Sequence, residues 1–247
     1  MKINRFVVDG IPLTTYEVEN NEVKPLIYFF HGFTGSRDRT IMGRGEILAN
    51  LGFYVVAIDA YLHGDREPIE FKKLTNQEKY ESIIDIVIHT ANDAKNLYHN
   101  HFMMYDNIKK DGYYAYGVSM GSATAFYLAT IEPKLKAIST IVCFPSFVEY
   151  YKDKQTKLNF PKDEKYISRM RLYETLDPLI HYERLQHVKI FMGIGEHDDV
   201  VDNKYAKALH EKMQKTILKS YNTNHVSTPE MLQDSFDFIH KCKKENE

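Results

Sequence analysis

The sequence predicts an α/β fold: a mostly parallel, twisted sheet of about eight strands, with helices on both faces and a small helical cap insertion. Three observations carry this expectation. Short continuous apolar runs, such as Pro25-Leu26-Ile27-Tyr28-Phe29-Phe30, have the character of strands buried on both faces of a parallel sheet. Between such runs lie segments with apolar residues at i, i+3 and i+4, the spacing of an amphipathic helix. The two patterns alternate along nearly the whole chain, as in repeated strand–helix–strand units.

Taken in order, residues 3–8 and 13–18 read as short strands joined by a turn at Asp9-Gly10, a hairpin signal, and they should form an antiparallel edge. The buried strand 25–30 follows. Residues 38–51 are helix-like and stop at Gly52, and Phe53 to Ile58 is the next buried strand. From 76 to about 100, Tyr80, Ile83, Ile84, Val87, Ile88, Ala91, Ala94 and Leu97 keep helical spacing. A short strand at 113–116 runs into Gly117, and a helix at 119–131 is broken before Pro133. Strands are expected at 137–143, 188–192 and 216–221, with helices at 202–214 and 228–242. Thr228 should cap the last helix, with Pro229 at its first position. The stretch 145–180 is too long for an ordinary loop. Its aromatic residues, Phe147, Tyr150, Tyr151, Phe160, Tyr166 and Tyr173, need somewhere to pack. It is read as a cap inserted into a single domain spanning 1–247.

The chain has 247 residues, of which 43% are apolar and 27% charged. These values are ordinary for a globular protein and exclude an intrinsically disordered one. A net charge of −2 leaves no global basic field for nucleic acid or an anionic membrane. No run approaches the length of a membrane-spanning helix, and residues 1–10 do not resemble a signal peptide. Only Cys143 and Cys242 are present. They are expected to be unpaired, Cys143 buried and Cys242 exposed, which points to a reducing, cytoplasmic location.

The most specific chemical signal is Gly117-Val118-Ser119-Met120-Gly121, with a strand before it and a small-residue helix after it. In that context the turn is tight. Both glycines avoid collisions with neighbouring backbone, and the serine is held in a strained conformation that presents its Oγ above the sheet. Here the chain resembles the α/β-hydrolase superfamily, over nearly its full length. Within it the likeness is to small bacterial esterases of the dienelactone hydrolase and prolyl oligopeptidase-like branch. His31-Gly32-Phe33-Thr34-Gly35, directly after strand 25–30, matches the superfamily's oxyanion loop. The resemblance implies that the backbone N–H groups of Phe33 and Met120 stabilise the oxyanion, worth about 3–4 kcal/mol per donor.

A serine hydroxyl needs a base. Of eleven histidines, His225 follows the last strand and precedes the last helix, where the fold places that base. The base needs a carboxylate to fix its tautomer. Gly195-Glu196-His197-Asp198-Asp199-Val200-Val201 resembles the superfamily's acid loop, with Asp198 as first choice, Asp199 its rival by a one-residue shift, and Glu196 third. The order Ser119, Asp198, His225 is that of the superfamily. His63 and Asp65, in Asp59-Ala60-Tyr61-Leu62-His63-Gly64-Asp65-Arg66, are read as polar groups bonding their own loop. Dienelactone hydrolases use cysteine, and the serine here means that their substrate does not transfer.

The expected function is a serine hydrolase, specifically a carboxylesterase for small to medium acyl esters, needing neither metal nor organic cofactor. His31, Phe33, Met120 and Tyr150 are expected to bind the substrate. The same residues would serve a thioesterase, acyltransferase or peptidase. A catalytically silent α/β-hydrolase that binds a ligand is the alternative of another class. The expected partner is a small-molecule ester, with no nucleic acid and no membrane span. Aromatic residues on the cap would suit a homodimer interface.

Overall fold

Eight strands form one sheet in the order β1-β2-β4-β3-β5-β6-β7-β8. The computed structural model describes residues 1–38 and 43–246. The strands are β1 (Lys2–Val8), β2 (Ile11–Glu17), β3 (Leu26–Phe30), β4 (Tyr54–Ile58), β5 (Tyr113–Val118), β6 (Leu135–Ile141), β7 (Lys189–Gly195) and β8 (Ile217–Tyr221). β1 and β2 pair antiparallel through the turn at Asp9-Gly10, and β2 pairs antiparallel with β4. All the other pairings are parallel. This is the architecture expected from the alternating patterns.

The helices are α1 (Arg44–Asn50), α2 (Ile69–Lys72), α3 (Asn76–Glu81), α4 (Ile83–Asn100), α5 (Met120–Ile131), α6 (Phe147–Leu158), α7 (Glu164–Leu176), α8 (Lys204–Lys212) and α9 (Pro229–Lys244). Residues 39–42, part of the helix expected at 38–51, lie outside the described residues. Strand alternation sends side chains to two cores. Leu26, Tyr28 and Phe30 face the core shared with α4, α5 and α8, whereas Ile27 and Phe29 face that of α1 and α9. Cys242 belongs to the second core and is 3% exposed. The expectation that it lies exposed is therefore wrong: in α9 it falls on the apolar stripe with Met231 and Ile239, despite its lysine neighbours. No helix among the described residues is long and apolar enough to cross a membrane.

Two departures from the expected helices bear on function. The helix expected at 76–100 is broken at Ser82 into α3 and α4. Thr75 starts α3 with a capping box: its hydroxyl accepts from Glu78 N–H at 3.3 Å, and the Glu78 carboxylate returns to Thr75 N–H at 2.8 Å. The stretch 145–180 holds α6 and α7. Phe147, Tyr150, Tyr151, Phe160 and Tyr173 are all buried, so these rings are withdrawn from any dimer surface. α7 is tied to α4 through Asp85, which accepts from Tyr173 Oη at 2.7 Å and Arg169 Nη2 at 2.6 Å.

Asp177 organises the start of this stretch from its far end. Fully buried, it accepts from the N–H groups of Phe147 and Val148 at 2.8 Å each, from Ser146 Oγ at 3.0 Å, and from Leu179 N–H at 2.7 Å. Its carboxylate thus sits on the N-terminus of α6, where the unpaired N–H groups and the helix dipole favour an anion. Asp177→Ala should cost about 3–5 kcal/mol, because it strands several buried donors. Thermal melting should show a Tm lowered by roughly 6–20 °C; a change under about 1 kcal/mol would mean that the donors find other partners.

Candidate active site

The site is built where three strand ends meet the turn into α5. Ser119 lies between β5 and α5 with φ 53° and ψ −117°, a backbone region that a side chain enters only under strain. A methyl group on Gly121 would stand 2.1 Å from the Phe30 carbonyl oxygen, and one on Gly117 would stand 2.3 Å from that of Gly121. Glycine at both positions lets α5 seat its first turn on the end of β3. Ser119 N–H donates to Ile141 O at 3.0 Å, which ties the turn to β6.

His225 Nε2 lies 2.8 Å from Ser119 Oγ, and its Nδ1 lies 2.7 Å from Asp198 Oδ2. A carboxylate only accepts, so Nδ1 carries the proton and Nε2 is free to receive one from the serine. Asp198 is further held by the N–H groups of Val200 and Val201, at 3.0 and 2.9 Å on Oδ1. Burial would raise its pKa, but the bonds from His225 and from these backbone groups outweigh that and lower it, which keeps the carboxylate ionised. Asp199 is exposed, and its carbonyl is taken by Lys157 Nζ at 2.7 Å. Glu196 is also exposed. Gly195 brings the loop after β7 close to the loop after β8: a methyl group there would meet Asn224 O at 2.3 Å.

Above Ser119 opens a cavity of about 700 Å3 lined by Phe33, Met120 and Tyr150, three of the residues expected to bind substrate. Neither Phe33 N–H nor Met120 N–H has an acceptor among the described residues. Both line the cavity beside Ser119, on the loop after β3 and at the first position of α5. Tyr150 comes from α6 and stacks on Phe144, with ring centroids 4.1 Å apart. Phe33 packs on Tyr80 of α3, with centroids 5.1 Å apart.

His31 does not line this cavity, which corrects its expected role in substrate binding. It is 1% exposed. Its Nδ1 donates to Gly32 O at 2.8 Å, and its Nε2 accepts Ala60 N–H at 3.0 Å. With both nitrogens engaged it pins the loop after β3 to the loop after β4. Asp59 reinforces the clamp by accepting Arg37 N–H at 2.8 Å and Asp65 N–H at 3.0 Å. His63 Nδ1 bonds its own loop at Tyr61 O, 3.0 Å away, as expected, whereas the Asp65 carboxylate leaves that loop and accepts from Arg37 Nη2 at 2.8 Å.

Several lining residues escape sequence reasoning. Asn76, Tyr80 and Ile83 reach the cavity from α3 and the start of α4. Their spacing reads as one helix packed on a core, and the capping box at Thr75 marks only where that helix starts, not its break at Ser82. Val200, Val201 and Val226 also line it, each within three residues of a residue singled out above.

No protein-family model matches the chain. It is 27% identical over 242 residues to the Bacillus subtilis (strain 168) protein named "Putative esterase YitV", covering 94% of this chain and 89% of that one. Among solved structures, TT1662 from Thermus thermophilus superposes with a TM-score of 0.71 at 15% identity, over 99% of both chains. Acetyl xylan esterase 1 from Thermoanaerobacterium sp. JW/SL YS485 gives 0.73 at 18% identity, over 95% of this chain and 80% of that one. The chain has the α/β-hydrolase fold. Within that fold, the strand-to-helix turn at Ser119 and the loops after β3, β7 and β8 surround one cavity.

The clamp at His31 has a pH signature. Burial brings its pKa down from 6.5 to about 4. Between those values the unfolded chain takes up a proton that the folded protein does not, so stability falls as the pH drops through this window. In urea unfolding at pH 7.5 and 4.5, the wild type should lose roughly 2–3 kcal/mol more than His31→Gln loses. An equal loss in both proteins would show that His31 takes up its proton in the fold.

Proposed function

We propose that the protein is a serine hydrolase, specifically a carboxylesterase that cleaves small to medium acyl esters through an acyl-enzyme on Ser119. The observation that carries this reading is the continuous hydrogen-bonded chain from Ser119 Oγ through His225 to Asp198 at the floor of an open cavity with an aromatic wall. The esterase names of the Bacillus relative and of the Thermoanaerobacterium structure support it.

As Ser119 Oγ attacks the ester carbonyl, its proton passes to His225 Nε2. Negative charge develops on the former carbonyl oxygen between the N–H groups of Phe33 and Met120. Fixed dipoles there need little reorganisation, and the N-terminus of α5 adds to them in the same sense. Ionised Asp198 stabilises the imidazolium that forms. Collapse of the intermediate breaks the bond to the alcohol oxygen, which takes the proton from His225 and leaves. Water then gives a proton to His225 as its oxygen attacks the acyl carbon. Breaking the bond to Ser119 Oγ returns that proton to the serine and frees the acid.

The aromatic wall sets the substrate class in this reading. Phe33, Tyr80, Phe144 and Tyr150 offer an apolar surface to an acyl or alcohol chain, while Asn76 and Ser227 supply polar groups. The 145–180 stretch acts as a cap, since Tyr150 of α6 forms part of that wall.

A fluorophosphonate probe should label the wild type once, and p-nitrophenyl acetate, butyrate and octanoate should be hydrolysed. A folded protein that neither labels nor hydrolyses any of them would favour a silent ligand-binding role. Ser119→Ala should abolish labelling and lower kcat by about 10⁴–10⁶-fold. For the acid, Asp198→Asn should lower kcat/KM by about 10³–10⁴-fold, and Asp199→Asn by no more than a few-fold. The reverse ranking would move the acid by one residue.

A further inference from the structure

The loop that carries Asp198 is tied down from α6 by a lysine in an unusual setting. The N–H groups of Val200 and Val201 hold Asp198, and the carbonyl of Val200 accepts from Lys154 Nζ at 2.9 Å. Lys154 is only 6% exposed. Its ammonium lies 4.9 Å from the ring centroid of Tyr80 and 5.2 Å from that of Tyr150, the two tyrosines of the cavity wall. Burying an ammonium carries a large desolvation cost, and a methionine of similar length would fill the same space without it. What the methionine cannot supply is a charge-assisted bond to the acid loop together with attraction to both rings.

We propose that Lys154 is a positioning residue for the reaction: its ammonium locks the Asp198 loop to the two tyrosines of the pocket wall, so that alignment of the acid depends on that charge. This rests on the reading of Ser119, His225 and Asp198 as the catalytic residues. The lock joins the wall that meets the substrate to the loop that orients His225, with no contact between Lys154 and the reacting atoms.

The charged and titratable groups around Lys154 come from several elements. Asp153, Lys157 and Tyr150 share its helix, Asp198 and Asp199 face it from the acid loop, and Tyr80 faces it from α3. Asp202 and Tyr205 line the crevice on its outer side. Burial, with a smaller push from Lys157, brings the Lys154 pKa down from 10.5 to about 8, against the pull of the aspartates. The ammonium is therefore lost in the folded protein as the pH rises through about 8. A neutral amine bonds the Val200 carbonyl more weakly and has no cation–π attraction.

The test is kcat and KM for p-nitrophenyl butyrate between about pH 6.5 and 10, for the wild type, Lys154→Met and Lys154→Arg. Wild-type kcat should fall several-fold as the pH rises through about 8. Lys154→Met should show kcat lowered about tenfold at pH 7, with KM within about twofold. It should lack the fall through pH 8, so that the two proteins converge at high pH. Lys154→Arg, permanently charged, should keep most of the activity and also lack the fall. Wild-type kcat in Lys154→Met at pH 7, a persisting fall near pH 8 in that variant, or the same fractional loss at every pH would each overturn the proposal. The last outcome is what a merely structural lysine gives. Fluorophosphonate labelling of the wild type is the control: its absence would remove the hydrolase reading itself, not the role of Lys154 alone.

Discussion

The close approach of α5 to the end of β3 is the constraint on which the rest of the site depends. It requires that no side chain stand between the backbone at 121 and the carbonyl of Phe30, or between 117 and 121. It also requires Ser119 to adopt a positive φ, a strain of order 1–3 kcal/mol that the surrounding packing must offset. Two things follow from that one contact. The first N–H of α5 is brought beside the loop after β3, so Met120 and Phe33 face one space. The serine is lifted out of the sheet to a height that the loops after β7 and β8 can reach.

Electrostatics then divides similar groups into different tasks. His31 and His225 are both imidazoles near the cavity, but His31 is fully enclosed, held neutral and saturated with backbone partners. His225 is half-buried, with one nitrogen on a carboxylate and the other on a hydroxyl. Asp198 and Asp177 are both buried carboxylates. One gathers backbone N–H groups from its own loop and turns its second oxygen to His225; the other gathers them across the two ends of the 145–180 stretch. Position relative to the cavity, not residue type, separates architecture from chemistry.

Much of this could be read from the sequence because the relevant signals are local. The apolar runs at 25–30 and 53–58 mark strands buried on both faces, and Asp9-Gly10 marks the hairpin. The glycines around Ser119 mark a turn that no other residue fits. Asp198 could be preferred over Asp199 but not separated from it, since a one-residue shift leaves every local pattern unchanged. What stayed hidden depends on tertiary contact. The break at Ser82 is invisible to periodicity, because Tyr80 and Ile83 keep helical spacing across it. Lys154 sits in a run of lysines and aspartates that reads as a solvated helix face, and only packing against Tyr80 and Val200 shows it buried. His31 was misassigned for a related reason: its neighbours Gly32 and Phe33 do meet the cavity, while its own ring turns to the backbone of Ala60. Cys242 was misplaced because its lysine neighbours hide the inward stripe of α9.

In the proposed reaction Ser119 forms a covalent acyl intermediate. Acid-quenching the reaction with p-nitrophenyl butyrate and locating the added mass by peptide mass spectrometry would reveal that intermediate. One butyryl group per chain is expected, on the peptide containing Ser119, formed together with an initial burst of p-nitrophenolate. An acyl group on a different residue, or undiminished hydrolysis by Ser119→Ala, would rule out Ser119 as the nucleophile.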